Sequence, residues 1–178
     1  MNRLDRGLAF AEFVFLKARW SARISGDLRN YVQKGNFYFL KGASMVLGEH
    51  NIFEKGADVE VVRGKLSIGS HNYFNKNVKI ACAGEIRIGN DCLFGDGAHL
   101  YDHDHDHREA GKLMREKSLV AAPIIIGNNV WVGARAIILK GVSIGDNAVV
   151  GAGAIVTRSV PANAVAAGNP ARVLKMRS

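Results

Sequence analysis

The 178-residue chain predicts an all-β fold, a three-sided parallel solenoid, and two observations predict it. The first is a period of six. An apolar residue returns at Ile126, Val132, Ile138, Ile144, Val150 and Val156, and most are followed by glycine (Gly127, Gly133, Gly145, Gly151). The fourth residue after each is Val130, Ala136, Val142, Ala148, Ala154 or Val160. Helices repeat near 3.6 residues and strands near 2, so a period of six suits a short strand and a tight turn laid down repeatedly. The second observation is that the same step recurs upstream in triplets: Leu47, Phe53, Val59; Ile68, Phe74, Ile80; Ile88, Phe94, Leu100. Three hexads make one coil, and stacked coils align these residues in three apolar columns at the usual strand spacing of about 4.8 Å.

Residues 1–45 do not follow the repeat. Leu4, Leu8, Ala11 and Phe15 lie at helical spacing, with Phe10, Phe13, Val14, Leu16 and Trp20 beside them and Arg3, Arg6, Lys17 and Arg19 around them. This predicts a helix that caps the open end of the first coil. Docking of that helix on a membrane surface is the less favoured reading, because Gly7 and Glu12 weaken an interfacial helix. The apolar run 8–16 is interrupted by Glu12, is too short to span a bilayer, and lacks the cleavage site of a signal peptide. The solenoid is expected over 46–160. Its corners at Arg63-Gly64-Lys65 and Ala83-Gly84-Glu85 take extra residues, with glycine available for positive φ. Residues 161–178 form a tail in which Pro161 and Pro170 end the solenoid and reverse the chain.

The formal net charge is +8. No aromatic-basic stripe or nucleic-acid motif accompanies it, so no nucleic acid is expected, and a phosphate-bearing co-substrate or an acidic glycan matches the charge better. Cys82 and Cys92 fit a reducing, cytoplasmic setting. Cys92 occupies a small-residue slot of its hexad and reads as a packing residue.

The hexads stop after Leu100 and resume at Ile126, leaving an inserted loop, 101–123, that opens YDHDHDHREAG. An extended start to this loop puts His103, His105 and His107 on one face and Asp102, Asp104 and Asp106 on the other. Two chemistries match such a run. A neutral imidazole backed by a carboxylate is a general base for a hydroxyl, and alternating His with nearby Asp also resembles metal-ligand spacing.

Repeats of the form [LIV]-G-x-x-[small]-x over about 47–175, strongest in IIIGNNVWVGARAIILKGVSIGDNAVVGAGAIVTRSVPANAVAAGNPARVLK (124–175), resemble the hexapeptide-repeat acetyltransferases, and among them the sugar and polysaccharide O-acetyltransferases. The resemblance implies a left-handed parallel β-helix, acetyl-CoA as co-substrate with no metal required, a carbohydrate acceptor, and a homotrimer with its sites between subunits. It also implies a catalytic histidine five residues after the last apolar hexad position before the loop. Counting from Leu100 gives His105, with His103 the runner-up and His107 third, and with Asp102 or Asp104 orienting the ring. By the same resemblance Trp131 walls the acceptor site, and the Ala134 amide meets the acetyl carbonyl oxygen. The Ala152 amide meets the pantetheine arm, Thr157 and Arg158 follow on the next corner, and Arg172 and Lys175 meet the adenosine phosphates. The expected reaction is direct transfer of acetyl to a hydroxyl of a capsule, lipopolysaccharide or other glycan. The alternatives are an acetyltransferase for an antibiotic or an amino sugar, and a zinc protein like the γ-class carbonic anhydrases, whose ligands however come from separate coils.

Overall fold

A computed structural model describes residues 3–27, 29–40, 42–108 and 110–177. After an N-terminal helix, Arg3–Arg19, the chain winds through six coils of short strands that stack in parallel into three sheets. The first face carries Ile24–Gly26, Ser44–Leu47, Lys65–Ile68, Glu85–Ile88, Ile124–Ile126 and Ser143–Ile144. The second carries the two-residue strands that include Val32, Phe53, Phe74, Phe94, Val132 and Val150, and the third runs from Asn36–Phe39 to Ile155–Val156. No described helix is long and apolar enough to cross a membrane.

The hexad columns are the core. Leu47, Ile68, Ile88, Ile126 and Ile144 are buried on the first face, and Val59, Ile80, Leu100, Ile138 and Val156 on the third. In the second column Phe53, Phe74 and Phe94 stack ring on ring, 4.4 and 4.7 Å between centroids and within 9° of parallel. Equivalent side chains on coils one strand spacing apart have no other way to pack. Between the first and second faces, a second ladder is polar and buried. Asn51 Nδ2 donates to Asn30 Oδ1 and Asn72 Nδ2 to Asn51 Oδ1, each at 2.9 Å. The Cys92 amide closes it on Asn72 Oδ1 at 2.8 Å. From Cys92 onward the same slot holds Val130, Ala148 and Ala164, so the hexad's small position is polar only in the early coils.

The solenoid is longer at both ends than the hexads predict. Ile24–Gly26, Tyr31–Val32 and Asn36–Phe39 pair in parallel with the following coil and form a complete first coil inside the region expected to be cap. At the other end Ala164–Gly168 extends the second face, and Ala171–Met176 folds back antiparallel on it, so the tail is a final hairpin. The cap is therefore the helix alone. It buries Ala9 and Phe13, with Leu16 and Trp20 packed against the core, while Leu8 and Phe15 of the expected apolar stripe stand 61% and 71% exposed. Gly64 and Gly84 do not take positive φ. They are needed for closeness instead, since a Cβ on Gly64 would stand 2.2 Å from the Gly84 carbonyl oxygen.

Candidate active site

The inserted loop begins on the third edge of the prism, where the third face turns into the first. His103–His105 pairs antiparallel with Leu119–Ala121, so the loop opens as a short hairpin. Asp102, at its root, is fully buried. Its Oδ1 accepts the Ala83 amide and its Oδ2 the Gly84 amide, each at 2.8 Å. These are the corner amides of the coil below, and they fix the carboxylate in place. His103 Nδ1 lies 2.8 Å from the same Oδ1, and its side chain is only 16% exposed. A carboxylate can only accept, so the ring donates from Nδ1 and leaves Nε2 as the basic nitrogen. Gly84 makes room for this arrangement, since a Cβ there would come within 2.9 Å of Ala121 Cβ and 3.5 Å of Asp102 Oδ2.

His105 follows two residues along the same strand and is exposed. Asp104 does not orient an imidazole. It points to Lys140, whose Nζ reaches Oδ1 at 2.7 Å and so ties the hairpin to the coil above. Asp106 is bonded by Arg108, and that guanidinium holds its carboxyl well below the usual carboxylate range. His107 lies outside the strand and is exposed. Of the three histidines expected to share a face, the hairpin aligns His103 and His105 and leaves His107 beyond it.

Trp131 faces outward from the second sheet, 55% exposed, beside Leu93 and Val149. Ala134 and Ala152 sit at equivalent places on the second edge, in the turns Gly133–Ala136 and Gly151–Ala154. Among the described residues, neither of their amides donates to a backbone carbonyl. Both lie over glycine: a Cβ on Gly95 would stand 2.4 Å from the Ala134 nitrogen, and one on Gly133 2.5 Å from the Ala152 nitrogen. Glycine thus keeps two unpaired donors uncovered on successive coils. The row continues to Ala167, which sits over Gly151 and pairs across the final hairpin with Arg172. Arg172 and Lys175 are both exposed on that hairpin.

The expected site residues therefore divide between two edges. Ala134, Ala152 and Arg172 follow the second edge. Asp102, His103, His105, Thr157 and Arg158 follow the third, across the width of the third face, on the order of 10 Å away. Among the described concavities of the single chain, one lies under the N-terminal helix, one runs from the second edge onto the third face beside Ala134, lined by Asp96, His99, Arg135 and Ile137, and one lies within the inserted loop, lined by Asp106, Lys112, Glu116, Lys117 and Ser118. The Asp102 anchor, the split of the residues between edges and the buried Asn ladder have no counterpart in the hexad pattern. The only sequence signal for the anchor is the adjacency of Asp102 to His103.

A profile described as the hexapeptide repeat of succinyl-transferase matches residues 123–158. The putative lipopolysaccharide biosynthesis O-acetyl transferase WbbJ of Escherichia coli is 30% identical over 146 residues, which are 78% of this chain and 74% of that protein. The chain belongs to the hexapeptide-repeat acyltransferase family. Nodulation protein L of Rhizobium meliloti is 45% identical over 112 residues, 61% of this chain and 58% of its own length. The chain therefore spans less than two thirds of that relative. Among solved structures, this hexapeptide-repeat chain superposes on the N-acyltransferase AntD of Bacillus cereus with a TM-score of 0.77 at 20% identity, covering 93% of this chain and 89% of that one. It superposes on the acetyltransferase VCA0836 of Vibrio cholerae, complexed with acetyl coenzyme A, with a TM-score of 0.61 at 23% identity, covering 99% and 87%. These likenesses show the shared solenoid.

Proposed function

We propose that this chain is an acetyl-CoA-dependent O-acetyltransferase acting on a sugar hydroxyl of an exported glycan. The observation that carries the reading is the second edge: two uncovered amides on successive coils, leading to a cationic side chain. An extended acyl-pantetheine arm lies along such a row, its carbonyl on the Ala134 amide, its chain amide on that of Ala152, and its phosphates towards Arg172 and Lys175. The names of the relatives, an O-acetyl transferase of lipopolysaccharide biosynthesis among them, support the acceptor class.

In this reading His105 is the base. It takes the acceptor's proton as the hydroxyl oxygen attacks the thioester carbon. The oxyanion forms against the Ala134 amide, and collapse expels the CoA thiolate, which recovers the proton from the imidazolium. No acetyl-enzyme forms. Asp102 and His103 anchor the strand that presents His105, and Trp131 walls the acceptor. Thr157 and Arg158 border the donor site from the third edge. Because the imidazoles and the amide row occupy different edges, one chain's loop serves the amide row of a neighbour, and a homotrimer with three equivalent sites satisfies this. A cytoplasmic setting belongs to the same reading, with Cys82 and Cys92 unpaired.

A second assignment makes His103 the base, favoured by its bond to Asp102. CoA release across a panel of glycans, free sugars and amino sugars tests the activity, and His105→Asn and His103→Asn assign the base. Loss of the base lowers kcat by about 10²–10⁴ with the KM for acetyl-CoA kept. Full turnover by His105→Asn together with collapse in His103→Asn moves the role to His103. No CoA release with any hydroxyl acceptor overturns the reading.

A further inference from the structure

On the first edge, between the first and second faces, each turn from the second coil onward passes through one non-glycine residue in the left-handed region: His50, His71, Asp91, Asn129, Asn147 and Asn163, with φ between 53° and 61°. Asn and Asp are frequent there because they tolerate that conformation. The second and third coils use histidine instead, and because equivalent corners stack, the two imidazoles stack as well. Their centroids are 5.2 Å apart and their planes 31° from parallel. The backbone beneath them is tied down, with the His50 amide donating to Arg29 O at 2.6 Å and the His71 amide to Glu49 O at 2.9 Å.

Glu49 precedes His50, and its carboxylate reaches the same point. One donor atom from each of Glu49, His50 and His71 lies within 4.8 Å of the others. His71 is exposed and His50 half-buried at the rim of the corner, so a small change of side-chain angle closes this to a coordination sphere. Two imidazoles and a carboxylate are a donor set for a borderline divalent ion, with a remaining position for water. Arg29 also meets the Glu49 carboxylate. It is held independently by Asp27, through bonds of 2.9 and 3.0 Å, so an ion displaces it from Glu49 without stranding it. That pairing keeps the Asp27 carboxyl down at about 2.

We propose that Glu49, His50 and His71 form a zinc-class divalent metal site that staples the second coil to the third, remote from the acyl-transfer residues and without a part in that reaction. Its occupancy links chain segments that the hydrogen-bond ladder already aligns, so metal raises the unfolding temperature.

The full-length protein, stripped with chelator, is titrated with Zn²⁺ against a chromogenic competitor, and with Co²⁺ for its visible spectrum. The comparison proteins are His50→Asn/His71→Asn, which installs the residue later coils use at this corner, and His103→Asn/His105→Asn/His107→Asn, which removes the loop imidazoles. One Zn²⁺ per chain is expected in the wild type and in the loop variant. The affinity falls at least about tenfold in the corner variant, together with the metal-induced rise in Tm. Absence of a saturable site, or binding that survives in the corner variant and vanishes in the loop variant, overturns the proposal.

Discussion

Replacing Asp102 by asparagine tests whether the buried carboxylate holds the root of the loop. Each oxygen has its own donor, Ala83 N–H on Oδ1 and Gly84 N–H on Oδ2, both at 2.8 Å, and His103 Nδ1 shares Oδ1. An amide has one acceptor. With its oxygen towards Ala83 and His103, its NH₂ opposes the Gly84 N–H. Flipped, it opposes both Ala83 and the imidazole. Either way at least one buried N–H loses its partner, at about 1–3 kcal/mol, and the bonds that remain lose the assistance of a charge. The expected loss is about 2–4 kcal/mol, read by urea unfolding followed by circular dichroism. In the kinetics, loosening of the His103–His105 strand lowers kcat while the KM for acetyl-CoA stays, because the amide row lies on another edge. A stability loss under about 0.5 kcal/mol would show that the carboxylate does not hold those amides, and the anchoring role would fall with it.

The aromatic column gives a second test. Phe74 is fully buried between Phe53 and Phe94, so Phe74→Ala is expected to cost about 3–5 kcal/mol by urea unfolding, with Phe74→Leu much milder; a loss below about 1 kcal/mol for the alanine contradicts the stacked core. The thiols give a pH test. Burial, with the Asp102 carboxylate close by, pushes Cys82 well above its ordinary range, and burial pushes Cys92 up to about 11. Both pKa values are raised on folding, so above about 8.5 the unfolded chain sheds thiol protons that the folded chain keeps, and stability falls with rising pH by up to about 1.4 kcal/mol per unit for each thiol. The folded protein accordingly resists a thiol-disulfide reagent at mildly alkaline pH and reacts fully once unfolded; rapid labelling of the native protein refutes their burial.

The columns were legible because each hexad writes the same instruction and the backbone ladder puts identical positions in contact. Leu47 to Val156 need only the rule that like residues stack. The first coil was hidden for the converse reason. Val32 and Phe37 fill the second and third columns but stand five residues apart, and the first column's place opposite Leu47 falls to Gly26, which has no side chain to mark it. The helix misled differently. Every face of Leu8–Trp20 carries large apolar groups, so spacing alone did not choose Ala9 and Phe13 over Leu8 and Phe15.

What the chain determined by itself is local and periodic: a short strand, a tight corner, and a side chain returned to the axis every six residues. Tertiary structure decided which groups from distant coils share a point. Asp102 meets Ala83 and Gly84 from the coil below, and His71 meets His50 across 21 positions. Neither meeting leaves a trace in local spacing, because a winding backbone makes neighbours of residues one full coil apart, and only the number of residues in each turn sets which ones they are.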